Sequence, residues 1–253
     1  MLASTVPGAV GGFDLALRKY GTRKYPELLA QAIDAARDGH PLTHWCAGNH
    51  NGAISKLAPY PSSVKALLKD GGPFEPGDIF AQPDLARSLE IIARDGADAF
   101  YRGKLARLTA DFYEKNGGLL RYGDLASYQP EEAPPIRTDY KGYEVYQSAP
   151  NSQGLVLLQA LNILEPVDLK SMGHNSAQYV HTLVEALKLA FADRDRWIAD
   201  PRFTKIPTEQ LLSKRYAEER RKLIDPRRAR PAAAPHGAPG ETSSFAIADR
   251  FGN

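Results

Sequence analysis

The sequence predicts an α+β chain that is mostly helical, and three observations carry that expectation. Apolar residues recur three and four apart from the start up to Asn116-Gly117-Gly118, the spacing of one helix face. β-branched and aromatic runs then appear after Pro134, at 136–140 and 143–147, on either side of Lys141-Gly142. A third apolar strand is expected directly after Thr242, closed by a turn at 249–253 where Gly252 and Asn253 tolerate left-handed backbone.

In chain order, Phe13 and Leu17 share a face of a helix over 10–20 that Gly21 ends. Pro26 fits a helix start, and Leu28, Leu29, Ala32, Ile33 and Ala36 continue that helix to Gly39. The stretch 40–61 gives no clear period, whereas 62–68 reads as a short helix. A loop through Gly71-Gly72-Pro73 and Pro76-Gly77 leads to Pro83. There Leu85, Leu89, Ile92 and Ala93 form the stripe of a helix closed by Gly96. A helical turn at 97–101 and a helix at 104–115 follow.

Beyond the hairpin, 155–164 reads as a buried helix with Leu157, Leu158, Leu161 and Leu164 at core spacing. Asn175-Ser176 can cap the longest helix, 177–198, whose stripe is Val180, Leu183, Val184, Leu187 and Phe191. Its far end, Asp193-Arg194-Asp195-Arg196, reads as charged and solvated. A last helix over 208–224 precedes a Pro/Ala-rich linker, 226–240. Between Lys214 and Arg230 there are eight Lys/Arg against three Asp/Glu, read as a solvated face running into a flexible connection.

With 253 residues, 43% hydrophobic and 25% charged, the chain has the composition of a soluble globular protein. A formal net charge of +2 gives no reason to expect nucleic acid or an anionic membrane as partner. The one cysteine, Cys46, has no internal partner for a disulfide, which leaves the compartment open between periplasmic or secreted and cytoplasmic. No apolar run approaches the roughly 20 residues of a membrane-spanning helix. The first residues show no signal-peptide pattern, but a chain that stops after a hairpin turn is expected to be a piece of something longer.

Four residues of zinc-binding types, His40, His44, Cys46 and His50, fall close together, yet only Cys46 and His50 share a helix face, so no metal and no cofactor are expected. His181 and Glu185 are four apart and read as a side-chain pair at the surface or core edge. Thr242 is the remaining candidate. A threonine that becomes the first residue of a new chain can use its own α-amino group, of unperturbed pKa about 7.7–8.0, as general base for its hydroxyl. The mobile linker offers a cleavable bond at Glu241-Thr242. The alternative is that Thr242 merely opens a strand.

Several blocks resemble the γ-glutamyltranspeptidase family in collinear order. They are residues 77–86 (GDIFAQPDLA), 96–103 (GADAFYRG), 117–120 (GGLL), 124–128 (DLASY), 139–143 (DYKGY), 161–165 (LNILE), 185–194 (EALKLAFADR) and 211–214 (LLSK). The resemblance covers about residues 6–253 and implies the mostly helical large-subunit portion of an α/β/β/α N-terminal-nucleophile hydrolase sandwich, incomplete. It implies a large-subunit region over 1–241, with 226–241 as linker, and the first strand and turn of a small subunit over 242–253. Thr242 would be the processing residue and the nucleophile that attacks a γ-glutamyl or related amide and passes the acyl group to water, an amino acid or a peptide. Its partner would be the remainder of its own small subunit.

Two departures bear on substrate. The family's Thr-Thr-His reads Thr242-Ser243-Ser244, and its Pro-Pro-Pro-Ser-Ser-Gly-Gly loop reads Ser148-Ala149-Pro150-Asn151-Ser152-Gln153-Gly154. Both look more like the divergent acylase and amidohydrolase members. The family's carboxylate-holding arginine would lie upstream of Met1. A reading of another class is a non-catalytic relative, a helical module that binds a partner or small molecule.

Overall fold

The computed structural model describes residues 2, 4–69, 72–150 and 152–231. These fall into two compact units, Met1–Glu131 and Glu132–Asn253, and the boundary sits where helical spacing gives way to strand composition.

The first unit holds α1 (Ala9–Tyr20), α2 (Tyr25–Asp38), β1 (His40–Pro41), α3 (His44–Leu57), α4 (Pro61–Leu67), β2 (Ile79–Phe80), α5 (Pro83–Asp95), α6 (Ala97–Tyr101), α7 (Lys104–Lys115) and α8 (Tyr122–Ser127). Proline in the first turn starts α2, α4 and α5, where a missing N–H costs nothing. Helices α2 and α5 pack together, and β1 pairs antiparallel with β2. Gly39 allows the join: its φ is +83°, and a Cβ there would stand 2.5 Å from Ile79 Cγ2.

Helix α3 occupies the stretch that showed no sequence period. Glycines and histidines give it little intrinsic preference, so tertiary bonds hold it. Thr43 caps it by accepting from the Cys46 N–H at 3.2 Å. Asn51 exchanges two hydrogen bonds with the Phe74 backbone, both 2.8 Å. Leu42, Ala47 and Phe74 form the small core beneath it. A second core gathers Ala106, Leu120 and Leu125. Beside it Tyr101 is buried, donating to the Pro7 carbonyl at 2.7 Å and accepting from the Gly11 N–H at 2.9 Å.

The second unit holds β3 (Ile136–Tyr140), β4 (Tyr143–Gln147), α9 (Gly154–Leu164), α10 (Ala177–Trp197), α11 (Thr208–Leu211) and α12 (Lys214–Arg221). The hairpin turns at Lys141 and Gly142 with φ of 49° and 86°, the two left-handed residues a tight antiparallel turn requires. Helix α9 is apolar nearly all round and is the centre of the unit, contacting β3, β4, α10 and α12. Ile163 and Leu164 of α9, Ala186 and Leu189 of α10 and Ala217 of α12 form one core, with Leu183 and Ile224 at its edge.

Three expectations are corrected here. The core side of α10 is Glu185, Ala186, Leu189, Ala190 and Asp193, while Val180, Val184, Leu187 and Phe191 are 39–45% exposed. Small residues let α10 lie close to α9, which turns the larger apolar stripe outward. Asp193 is therefore buried rather than solvated. The helix expected over 208–224 is broken between α11 and α12, because Ser213 caps α12 by accepting from the Tyr216 N–H at 3.2 Å.

Candidate functional site

Thr242, the Glu241-Thr242 bond and the expected strand after them lie outside the described residues. The described part of the second unit shows how the chain leading toward them is held.

Two polar side chains, Gln159 and Asn162, sit inside the apolar helix α9, and buried polar groups need partners. The Asn162 carbonyl accepts from Thr138 Oγ1 at 2.6 Å and from Lys214 Nζ at 2.7 Å, and its amide donates to the Leu212 carbonyl at 2.9 Å. Gln159 Nε2 donates to Asp193 Oδ2 at 3.1 Å and to the Leu211 carbonyl at 3.4 Å, whereas Gln159 Oε1 has no partner among the described residues. Asp193 also accepts from Tyr216 OH at 2.9 Å and from the Arg220 guanidinium. Burial, and then the Asp193 carboxylate, push the Tyr216 hydroxyl up. The Lys214 ammonium, joined by the Lys141 N–H, holds Glu165 below the usual carboxylate range.

A third group faces the chain beyond α12. His181, Glu185 and Lys188 lie four and three apart on one face of α10. His181 Nε2 stands 2.7 Å from the Asp225 carbonyl. The Glu185 carboxylate, 1% exposed, accepts from the Arg230 N–H at 3.2 and 3.3 Å and from Lys188 Nζ at 2.7 Å. Lys188 Nζ reaches on to the Arg230 carbonyl at 2.7 Å. Burial pushes Glu185 up, but the Lys188 ammonium, the Arg230 N–H and the nearby His181 outweigh it and leave the carboxyl below its ordinary value.

The sequence expectation of a simple His181–Glu185 pair is thus replaced by separate grips on following backbone. The basic excess between Lys214 and Arg230 is likewise only partly a solvated face. Arg220 turns inward to Asp193 and Lys214, itself exposed, reaches Asn162 and Glu165, while Arg215–Glu219 and Lys222–Glu218 are exposed pairs. The signal for Gln159 and Asn162 was available, since amides three apart in a helix otherwise apolar must find partners. Nothing in local spacing announced Arg220, whereas Lys188 stands three residues after Glu185, a spacing at which helix side chains meet.

In the first unit His50 Nδ1 bonds the Leu67 carbonyl at 2.8 Å, and its ring lies 4.6 Å from Phe80, which His40 meets edge-on at 6.0 Å. His44 is exposed at the start of α3, and Cys46 packs against Leu42, Ala47 and Phe74. The four residues of that cluster therefore face different neighbours. A cleft of about 670 Å³ is lined by Arg87, Glu90, Arg94, Asp98, Arg102 and Lys104. Arg94 pairs with Asp95 at 2.7 Å and Arg102 with Asp98 at 2.5 Å, so much of its charge is already neutralised.

The fold is that of the helix-rich portion of an N-terminal-nucleophile hydrolase. The solved Helicobacter pylori gamma-glutamyltranspeptidase superposes with a TM-score of 0.85 at 36% identity, covering 91% of this chain and 67% of that one. The chain belongs to the gamma-glutamyltranspeptidase family, whose sequence model matches residues 1–253. It is 42% identical over 254 residues to the acylase ACY 1 proenzyme of Pseudomonas sp. (strain SE83), covering 99% of this chain and 46% of that protein. It is 40% identical over 261 residues to the glutathione hydrolase proenzyme of Escherichia coli (strain K12), covering 100% of this chain and 45% of that protein. The chain thus spans about half the length of the curated relatives it matches.

Proposed function

We propose that these residues are the large-subunit region and the first small-subunit residues of a self-processing amide hydrolase or acyltransferase, with Thr242 as both processing residue and nucleophile. The observation that carries the reading is the family match, which spans residues 1–253 and so includes Thr242. Cleavage of Glu241-Thr242 frees the Thr242 α-amine. That amine takes the proton of the Thr242 hydroxyl as Oγ attacks the substrate's amide carbonyl, and it returns a proton to the departing amine. The Thr242 ester is then resolved by water, an amino acid or a peptide.

The substrate is a γ-glutamyl or related amide. Acylase and glutathione hydrolase proenzymes resemble the chain almost equally. The departures at Ser243-Ser244 and at 148–154 favour the acylase-like side. The row of exposed apolar residues on α10, Val180, Val184, Leu187 and Phe191, with Leu157 of α9, offers the remainder of the longer protein a surface to cover.

The test is expression of the complete gene and N-terminal sequencing of any small product. A product beginning at Thr242, lost in Thr242→Ala together with amide hydrolysis, is the expected result. An uncut chain, a cut elsewhere, or full turnover by Thr242→Ala would overturn the reading.

A further inference from the structure

The grip of α10 on the backbone at Asp225 and Arg230 has no counterpart among the features that set the fold of the second unit. The core is closed by Ile224, and an ordinary helix end would need nothing beyond it. Yet a carboxylate is buried to 1% exposure, which is costly unless it is paired and hydrogen-bonded. Its partners are an ammonium and a backbone N–H, and the same ammonium holds the carbonyl of that residue. Both polar groups of residue 230 are therefore taken by one charged pair, without use of the Arg230 side chain. The contacts advance together along α10, His181 holding residue 225 and Glu185 and Lys188 holding residue 230. The backbone is accordingly held against α10 at residues 225 and 230, and Thr242 lies twelve residues beyond Arg230 in sequence.

We propose that Glu185 and Lys188 form a backbone clamp on residue 230 that sets the register in which the chain is presented for cleavage before Thr242. Both are then positioning residues for self-processing. The inference rests on the processing reading given above. The step it serves consumes one water: the Glu241 C–Thr242 N bond breaks, leaving a carboxylate on Glu241 and an amine on Thr242.

Magnitudes separate positioning from simple tethering. Without the clamp the nearest fixed point is Asp225, held by His181, seventeen residues before Thr242. If the clamp acted only as a tether, moving the nearest fixed point from twelve to seventeen residues before Thr242 would lower local concentration by less than about twofold. Loss of orientation costs considerably more than that, so a large slowing identifies the clamp as an aiming device.

The experiment follows first-order cleavage of the purified complete precursor. Glu185→Ala and Lys188→Met are expected to slow it at least tenfold. Lys188→Arg, which keeps a donor for the Arg230 carbonyl, is expected to restore much of the rate, and Arg230→Ala to cleave as wild type. In parallel, the protein is produced as two separately encoded chains divided at Glu241-Thr242, which bypasses processing. There Glu185→Ala is expected to assemble in wild-type yield. Cleavage of Glu185→Ala within twofold of wild type overturns the clamp. So does failure of its two-chain form to assemble, which would mark a general folding role, or a tenfold loss in Arg230→Ala. A wild-type precursor that is not cut before Thr242 refutes the processing reading itself and the clamp with it, an outcome distinct from a normal wild type beside an unaffected variant.

Discussion

Arg220 closes the buried carboxylate of Asp193 from both oxygens, Nη2 to Oδ1 at 2.5 Å and Nε to Oδ2 at 3.1 Å. The pair joins the end of α10 to α12, and Tyr216 and Gln159 complete the shell around the carboxylate. Removing one partner of such a pair leaves the other buried and uncompensated. Asp193→Ala is expected to destabilise the protein by about 3 kcal/mol, near the lower end for buried pairs because Arg220 keeps some contact with water. A lowered urea midpoint checks this. Arg220→Ala should cost a similar amount, and the double variant much less than the sum.

Asn162 is the second test of the buried polar helix. Its side chain serves Thr138, Lys214 and the Leu212 carbonyl at once. Asn162→Leu keeps the volume but orphans the Leu212 carbonyl, and it is expected to cost about 2 kcal/mol. A thermal melt at fixed pH reads the change. The neighbouring Leu158→Ala should cost about 3 kcal/mol through a cavity, since Leu158 is fully buried. Asn162→Leu melting as wild type would remove this amide from the list of groups that specify the fold.

Much of this architecture was legible in the sequence, and the reasons for the misses are physical. Helices α1, α2, α5 and α7 and the hairpin at Lys141-Gly142 obey local rules, namely apolar period, proline at the first turn and glycine at the end. Helix α3 does not, because the Asn51–Phe74 exchange and the His50 contacts override weak propensity. On α10 the large apolar stripe suggested the wrong inward face. Close packing on α9 selects Ala186 and Ala190 instead, and it draws Glu185 and Asp193 inside, where the partners Arg230 N–H and Arg220 are remote in sequence and follow from no spacing rule. Thr242 stood out from chemistry and resemblance alone. The backbone grip twelve residues before it in sequence became visible only once α10 and the 225–230 segment lay side by side.

Tyr25 supplies an alkaline marker in the first unit. Burial and the adjacent Asp14 carboxylate push its hydroxyl up to about 12. The folded value is above the unfolded one, so the stabilisation it reports is fully present below about 10, the usual tyrosine value, and is lost as pH rises through about 12. Absorbance titration of phenolate formation should show a tyrosine lagging the ordinary range in the native protein. Tyr25→Phe removes that lagging component. If the variant's curve matched the wild type's, Tyr25 would be ionising as an ordinary exposed phenol.

Glu185 supplies the acid counterpart. Burial pushes its carboxyl up, but Lys188, the Arg230 N–H and His181 together pull it below the ordinary glutamate value. Its folded value is therefore depressed, and the sign is opposite to that of Tyr25. The contribution is present above about 4.3, the unfolded value, and is lost as pH falls through the lower folded one. Protonation removes the charge that holds Lys188 and weakens acceptance from the Arg230 N–H, so the grip on residue 230 should loosen in acid before the α9–α10 core does. Hydrogen exchange of a peptide spanning 225–231, corrected for the intrinsic pH dependence of exchange, is expected to lose protection below about pH 4.3, while a peptide from α9 keeps it. Glu185→Gln should leave the 225–231 peptide poorly protected at every pH, so that the acid-dependent loss disappears. Equal protection in wild type and Glu185→Gln at every pH would mean that the carboxylate charge does not hold the segment.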